Sequence, residues 1–170
     1  MKQTRNLILA ALFAVLTALG SWIRIPTGIS AFTLQIFFCA MSALLLGSRW
    51  GMVSQAVYLL LGFVGLPVFT TGGGIGVLLT PTGGFLLALV PMAWVIGRAK
   101  TRPFRGCLMG LGVLYAVGLP YMHLIVTCYL QRPWSLWQTL VYGMLVFLPW
   151  DLVKLALAAF LCKKIRPRVL

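Results

Sequence analysis

The sequence predicts an all-α integral membrane protein that crosses the bilayer six times. Of its 170 residues, 61% are hydrophobic and only 9% are charged, and the mean hydropathy is +1.02. These values lie far outside the range of soluble globular proteins. Six helices of about 20 residues would use about 120 residues. We therefore expect a single transmembrane domain over residues 1–170, with no separate soluble domain.

Six apolar segments, separated by basic residues or by breaks rich in Pro and Gly, define the predicted helices. The predicted spans are 6–23, 33–47, 50–66, 82–97, 106–127 and 138–162. The second and third spans are short and contiguous across Gly47 to Arg49, which favours a tight helical hairpin over one long helix. A cleaved signal peptide is the alternative for the first segment, because Lys2 and Arg5 precede an apolar stretch. Retention is simpler, since cleavage would leave five spans and place the new N-terminus outside.

The basic residues test the six-span prediction independently, because cytoplasmic loops collect Lys and Arg. With the N-terminus inside, the opposite side carries only Arg24 and Arg132, and Lys154 falls within the last span. The remaining basic residues all fall on the cytoplasmic side: Lys2, Arg5, Arg49, Arg98, Lys100, Arg102, Arg105, Lys163, Lys164, Arg166 and Arg168. We therefore expect both termini to be cytoplasmic, and the net charge of +13 does not indicate nucleic-acid binding.

Two predicted outward loops have an unusual composition. The first, 24–32, contains Pro26, Gly28 and Ser30, and the second, 65–84, contains Gly72, Gly73, Gly74 and Gly76. Non-helical backbone near a membrane is tolerated where it is buried in protein or lines a cavity. The second loop is therefore expected to fold back over a pocket, with a simple glycine-rich connector as the alternative.

Asp151 is the only acidic residue in the chain, and it lies near the middle of the last span. A charge at the centre of a membrane helix costs about 3 kcal/mol, so such a residue usually faces a cavity or a partner. Lys154 follows three residues later on the same helix face, and Pro149 can open the helix beside the pair. A carboxylate and an ammonium group together can recognise a small neutral group with N–H and C=O functions. A structural ion pair and a proton-coupling site are the alternatives.

Other residue patterns carry less information. Ala10, Ala14 and Ala18 form two small-residue steps on the first span, which indicate either a docking face for a partner subunit or internal packing. The four cysteines (Cys39, Cys107, Cys128 and Cys162) are scattered singly, so we expect buried packing residues and neither a metal site nor a disulfide framework. His123 is expected to be a satisfied or lipid-shielded core residue. No catalytic motif is present, and one Asp without any Glu cannot supply paired carboxylates, so we do not expect an enzyme.

The segment from Gly65 to Phe85, GLPVFTTGGGIGVLLTPTGGF, resembles the signature of the BioY family, the biotin-binding S components of energy-coupling factor transporters. The resemblance continues in Thr33-Leu34-Gln35 and in Pro149, Asp151 and Lys154, which are similar to the family's P-x-x-D-x-x-K pattern. Two departures are Phe85, where the family usually has tyrosine, and Thr80, where glycine is common.

The resemblance implies an S-component-like helix bundle with outward capping loops that carries biotin. Asp151 would accept from a ureido N–H and Lys154 would donate to the ureido oxygen, while the carboxylate of biotin would point toward Arg24 or Arg132. The ligand-binding residues expected on this basis are Asp151, Lys154, Gln35, Phe69, Thr71, Gly73, Gly83, Phe85 and Trp150, with Trp150, Phe69 and Phe85 covering the apolar part of biotin.

The resemblance also implies a transmembrane coupling subunit and two ATP-binding subunits as partners, in a multi-pass protein of a bacterial cell membrane. No cofactor, metal or nucleic acid is expected. Three alternatives remain at this point: an S component for another vitamin such as thiamine or riboflavin, a proton-coupled secondary carrier that uses Asp151, and a structural or assembly protein with no ligand.

Overall fold

The structure is a computed structural model that describes residues 2–26, 31–99 and 101–169. Gly28, Ser30 and Lys100 lie outside the described residues, as do the side chains of Lys2, Pro26, Arg166 and Arg168. The helices are α1 (Lys2–Trp22), α2 (Gln35–Leu46), α3 (Ser48–Phe63), α4 (Gly83–Arg98), α5 (Pro103–Leu124), α6 (Leu136–Leu140) and α7 (Leu148–Val169). Two π-helical segments, Ile125–Tyr129 and Val141–Leu145, continue α5 and α6, and a 3₁₀ turn covers Ile75–Leu79.

The predicted six spans are confirmed. The first four correspond to α1 to α4, the fifth to α5 with its π-helical extension, and the sixth to α6 and α7 with the π-helical segment between them. The sixth span loosens at Val146 and Phe147, just before Pro149, which has no amide hydrogen to continue the helical pattern. An even number of alternating crossings places both termini at the same end of the bundle.

The helices differ in how well each could cross a bilayer alone. Among the described residues, three stretches are long and apolar enough to do so: Gln3–Trp22, Pro103–Tyr129 and Leu136–Ile165. By contrast, α2 has only 12 residues, which at about 1.5 Å per residue gives about 18 Å, well short of the hydrocarbon thickness. α2 begins at Gln35 and not at the predicted Thr33, because the preceding residues form a strand.

A short β-hairpin that the sequence did not predict occupies the first outward loop. β1 (Arg24–Pro26) pairs antiparallel with β2 (Ala31–Thr33), with Arg24 opposite Thr33. The ring of Phe32 packs against Phe147, with centroids 4.7 Å apart, and against Trp150 at 6.1 Å. The pairing satisfies backbone groups that an open loop at the membrane surface would leave exposed. The hairpin therefore lies against the outward end of the last span.

The residues 64–82, called the cap below, form a folded structure and not an open connector. Phe69 and Gly72 exchange two backbone hydrogen bonds, and the Gly74 amide donates to the carbonyl of Gly62 on α3 at 2.7 Å. Gly65, Gly72 and Gly74 have φ of 108°, 117° and 101°, a conformation that favours glycine. The expectation that this loop folds back over a pocket agrees with the structure.

The small-residue face of α1 packs inside the bundle, which favours the internal-packing alternative, and the docking role of this face stays a prediction. Ala10, Ala14 and Ala18 are only 2%, 1% and 9% exposed, because α1 packs against α2 and α3 on that side. Small side chains let these helices approach closely. The opposite face of α1 is apolar and exposed, through Leu7, Ile8, Leu12, Val15 and Leu19.

Two further expectations concern single residues. Cys39, Cys107 and Cys162 are buried as expected, but Cys128 is exposed because it lies in the π-helical end of the fifth span. His123 has a partner, as expected of a satisfied residue, since its Nδ1 lies 2.9 Å from the Thr139 hydroxyl. This contact joins the fifth span to the sixth.

Candidate ligand-binding site

A cavity of about 610 Å³ lies beneath the cap, between the outward ends of α2, α4, α5 and α7. Its size is in the range of small-molecule sites, which are usually apolar with a few placed polar groups. The apolar lining includes Ile36, Val77, Leu86, Leu89, Leu114, Met122 and Phe147. The polar lining includes Asp151, Lys154, Gln35, Tyr115 and Arg24.

The acidic residue of the last span lies in this cavity wall. Asp151 is 2% exposed, and its Oδ2 accepts a hydrogen bond of 2.8 Å from the Tyr115 hydroxyl on α5. The Lys154 ammonium lies 2.6 Å from the other oxygen, Oδ1, so the predicted pair forms. Besides this ion-pair contact, Oδ1 has no hydrogen-bond donor among the described residues. One carboxylate oxygen thus accepts from the tyrosine, while the other contacts the lysine and keeps lone-pair capacity for a ligand donor.

Lys154 also connects the last span to the hairpin, because its ammonium donates to the carbonyl oxygen of Thr33 at 3.0 Å. An ammonium group has three N–H donors. With one directed to Thr33 and another near Asp151, a third remains for a ligand oxygen. Lys154 lines the cavity, so this donor is within the site.

Gln35, at the start of α2, is held in a fixed orientation in the cavity wall. The Thr33 hydroxyl donates to Gln35 Oε1 at 2.9 Å, and Gln35 Nε2 donates to the Tyr58 hydroxyl at 2.6 Å. The Tyr58 hydroxyl in turn donates to the carbonyl of Val68 in the cap at 3.2 Å. Each group on the Gln35 amide keeps some unused capacity, one N–H and one lone pair.

Two phenylalanines predicted to contact the ligand lie in the cavity wall on different elements, the cap and α4. Phe69 of the cap is 1% exposed, and its ring lies 5.4 Å from that of Tyr58 and 5.7 Å from that of Phe63. Phe85 on α4 lies edge-on to Tyr115, with centroids 6.4 Å apart. Both rings line the cavity. Together they supply aromatic surfaces to the wall.

The outward rim of the cavity distinguishes the two arginines considered for a ligand carboxylate. Arg24, on β1, lines the cavity and donates to the carbonyl oxygen of Thr70 in the cap. Arg132 is exposed and is not part of the cavity wall. Thr71, also predicted, lies in the wall beside Thr70. Of the two arginines, Arg24 is therefore the one that lines the cavity.

Three predicted contact residues do not line the cavity. Trp150 is 60% exposed and packs against Phe32, because it lies on the outer face of α7 beside the inward-facing Asp151. A Cβ on Gly73 would lie 2.2 Å from the carbonyl oxygen of Leu66, so this glycine allows close packing within the cap. Gly83 has a similar role at the start of α4, where a Cβ would lie 2.9 Å from the carbonyl oxygen of Leu78.

The structure also brings residues to the cavity that the sequence did not indicate. They are Tyr115, Tyr142, Thr70, Thr80, Thr82, Met122 and Phe147. Tyr115 carried one weak signal, since a phenol in an apolar span needs a hydrogen-bond partner. Nothing in the spacing of 36 residues connects it with Asp151. Thr80, one of the departures from the family pattern, donates through its hydroxyl to the carbonyl of Val77 at 2.6 Å.

Comparisons with known proteins agree with this arrangement. The chain is 38% identical over 169 residues to a biotin transporter BioY of Thermotoga maritima, covering 95% of this chain and 96% of that protein. It is 41% identical over 144 residues to a probable biotin transporter BioY of Lysinibacillus sphaericus, covering 79% and 74%. A crystal structure of the S component for biotin from an ECF-type ABC transporter superposes with a TM-score of 0.76 at 25% identity, covering 98% of this chain and 93% of that one.

The family comparison covers the whole sequence. The model of the BioY family matches residues 1–170. This match includes all six spans, the cap and the residues of the cavity. The chain belongs to the BioY family.

Proposed function

We propose that this chain is the membrane-embedded, biotin-binding S component of an energy-coupling factor transporter. The observation that carries the proposal is the sole carboxylate of the chain, buried in the cavity wall beside a lysine. Burying these charges in a membrane span is costly, and such residues are retained where they face a functional cavity. The biotin transporters among the relatives support the choice of ligand.

The ureido ring of biotin matches the acceptor and donor that this pair offers. A ureido group has two N–H donors and one carbonyl acceptor. Asp151 Oδ1, whose only neighbouring donor among the described residues is the Lys154 ammonium, would accept from a ureido N–H. The unused N–H of Lys154 would donate to the ureido oxygen. Hydrogen bonds with one ionised partner are about twice as strong as neutral ones.

The remaining parts of biotin match the rest of the cavity. The thiophane ring and the aliphatic chain are apolar, and they would lie between Phe69 and Phe85. The carboxylate would then reach the outward rim, where Arg24 supplies a guanidinium group. Arginine is suited to a carboxylate because its planar donors match both oxygens. Gln35 and Thr71 would supply further polar contacts from the wall.

Transport requires an energy source, and the sequence contains no motif for binding ATP. No phosphate-binding loop of the form G-x-x-x-x-G-K-[ST] occurs in the 170 residues. The proposed partners are a transmembrane coupling subunit and two ATP-binding subunits. In this arrangement the chain captures biotin on the outward side, and the partners drive its release to the cytoplasm.

Biotin binding to the purified chain in detergent or nanodiscs tests the proposal. Asp151→Asn and Lys154→Met should each weaken binding by at least about 30-fold, because each removes a charged group that would hydrogen-bond the ureido ring and leaves the ligand group opposite it unpaired. Lys163→Met is the matched control, since Lys163 is exposed at the opposite end of the last span. Unchanged biotin affinity in both cavity variants would refute this site.

Two other outcomes would redirect the assignment. Tight binding of thiamine or riboflavin in place of biotin would indicate an S component for another vitamin. Uptake that collapses with an uncoupler while ATP-binding subunits are absent would indicate a proton-coupled carrier. The absence of binding to any of these vitamins would favour a structural protein.

A further inference from the structure

We propose that Tyr115 is a positioning residue that directs Asp151 toward the ligand and thereby sets the requirement for a ligand N–H. This inference rests on the proposed biotin site and deepens it. The supporting observation is a direct hydrogen bond of 2.8 Å from the Tyr115 hydroxyl to Asp151 Oδ2, between α5 and α7. No pattern in the sequence indicates a role for Tyr115.

The two oxygens of Asp151 have different surroundings. Oδ2 accepts from the tyrosine, while Oδ1 has no hydrogen-bond donor among the described residues although the Lys154 ammonium lies 2.6 Å away. A terminal carboxylate torsion is broad and roughly two-fold, so nothing intrinsic to aspartate would hold this arrangement. The tyrosine therefore fixes Oδ2, and with it the direction in which Oδ1 points. The consequence is that Oδ1 stays available to a ligand.

The tyrosine ring itself is held independently of its hydroxyl. Phe85 packs edge-on against it at 6.4 Å, and the ring is buried in the cavity wall. Tyr115→Phe would thus keep the ring and remove only the O–H group. Without that donor the carboxylate can turn toward Lys154, which reduces its capacity to accept from the ligand and also occupies the lysine.

This mechanism predicts an effect on ligand selectivity that packing alone would not produce. An ionised carboxylate is only an acceptor, so Asp151 binds more tightly a ligand that presents an N–H to Oδ1. A ligand with an oxygen in place of that N–H cannot donate to Asp151, so its affinity does not depend on the orientation of the carboxylate. Loss of the tyrosine hydroxyl should therefore lower the affinity for a ligand with this N–H and the affinity for a ligand without it by different factors.

The experiment measures the affinities of biotin and of its two cyclic carbamate analogues, in each of which one ureido N–H is replaced by oxygen. We expect Tyr115→Phe to lower the affinity for biotin by at least about tenfold, equivalent to about 1.4 kcal/mol of binding free energy. The affinity for at least one carbamate, the one that lacks the N–H facing Asp151, should fall by a much smaller factor. Equal losses for all three ligands would show a purely structural role and overturn the proposal.

Tyr121→Phe is the matched control, because Tyr121 also lies on α5 and its hydroxyl donates to the Leu78 carbonyl at 2.7 Å, outside the cavity lining. It should leave the ratio between biotin and the carbamates unchanged. If Tyr115→Phe does not fold, the double variant with Asp151→Asn is measured. A double variant that folds and binds as Asp151→Asn does supports the proposal, and one that also fails to fold overturns it.

The two proposals fail in distinguishable ways. If the unaltered chain does not bind biotin, the proposed function fails. If it binds biotin and Asp151→Asn abolishes binding, but Tyr115→Phe binds biotin as tightly as the unaltered chain, only the role of Tyr115 is overturned.

Discussion

Adding one methyl group at Gly62 should disrupt the cap from below. Gly62 lies near the end of α3, and a Cβ built there would lie 2.0 Å from Phe69 Cζ and 2.3 and 2.5 Å from its two Cε atoms. Real Cβ atoms do not approach so closely, so the ring must move. The carbonyl of Gly62 also accepts from the Gly74 amide of the cap. Gly62→Ala therefore strains the point at which the cap is attached.

The cost follows from how tightly the Phe69 ring is enclosed. The ring is 1% exposed, with Tyr58 and Phe63 packed against it, so the free space beside it is the cavity that it lines. Overpacking of this kind costs about 1–3 kcal/mol. Because Phe69 also lines the cavity, we expect biotin affinity to fall by about 5- to 150-fold if that strain is relieved by displacing the ring.

Calorimetric titration with biotin and thermal unfolding in detergent measure the two consequences. Gly76→Ala is the matched control, since a Cβ on this glycine of the same cap meets nothing within 4 Å. Phe69→Leu in the Gly62→Ala background removes the clashing Cε and Cζ atoms and should raise the melting temperature again. Unaltered affinity and melting temperature in Gly62→Ala would refute the packing argument.

Four further substitutions have expected outcomes. Arg24→Gln should lower the affinity for biotin but not for biotinamide, which lacks the carboxylate. Arg132→Gln should change neither affinity, and titration with both ligands checks both variants. Ala14→Leu should lower the melting temperature by introducing a larger side chain into the α1 interface, and a stable, fully active variant would contradict the buried position. Trp150→Leu should leave biotin affinity nearly unchanged, because Trp150 does not line the cavity; a large loss in a binding assay would show that it contacts the ligand.

The sequence predicted the global fold well, because hydropathy and the positions of basic residues are strong signals in membrane proteins. It also identified Asp151 and Lys154, since a charge in an apolar span is costly wherever it lies. The β-hairpin was missed because two three-residue strands, Arg24–Pro26 and Ala31–Thr33, are too short for a periodic pattern.

Side-chain direction was the main source of error in the site. Trp150 is adjacent to Asp151 in sequence, but neighbours on a helix point about 100° apart, so one faces the cavity while the other is exposed. The small-residue steps at Ala10, Ala14 and Ala18 indicate close helix packing but not whether the partner is internal or external. Tyr115 was missed because its contact with Asp151 joins two helices, and no local pattern reports such a pair.

A structure of the chain with bound biotin tests the central claim most directly. The account predicts a ureido N–H within hydrogen-bond distance of Asp151 Oδ1, the ureido oxygen near the Lys154 ammonium, and the carboxylate at the outward rim beside Arg24. Biotin bound in the reverse direction, with its carboxylate at Lys154 and its ureido ring under the hairpin, would contradict the account.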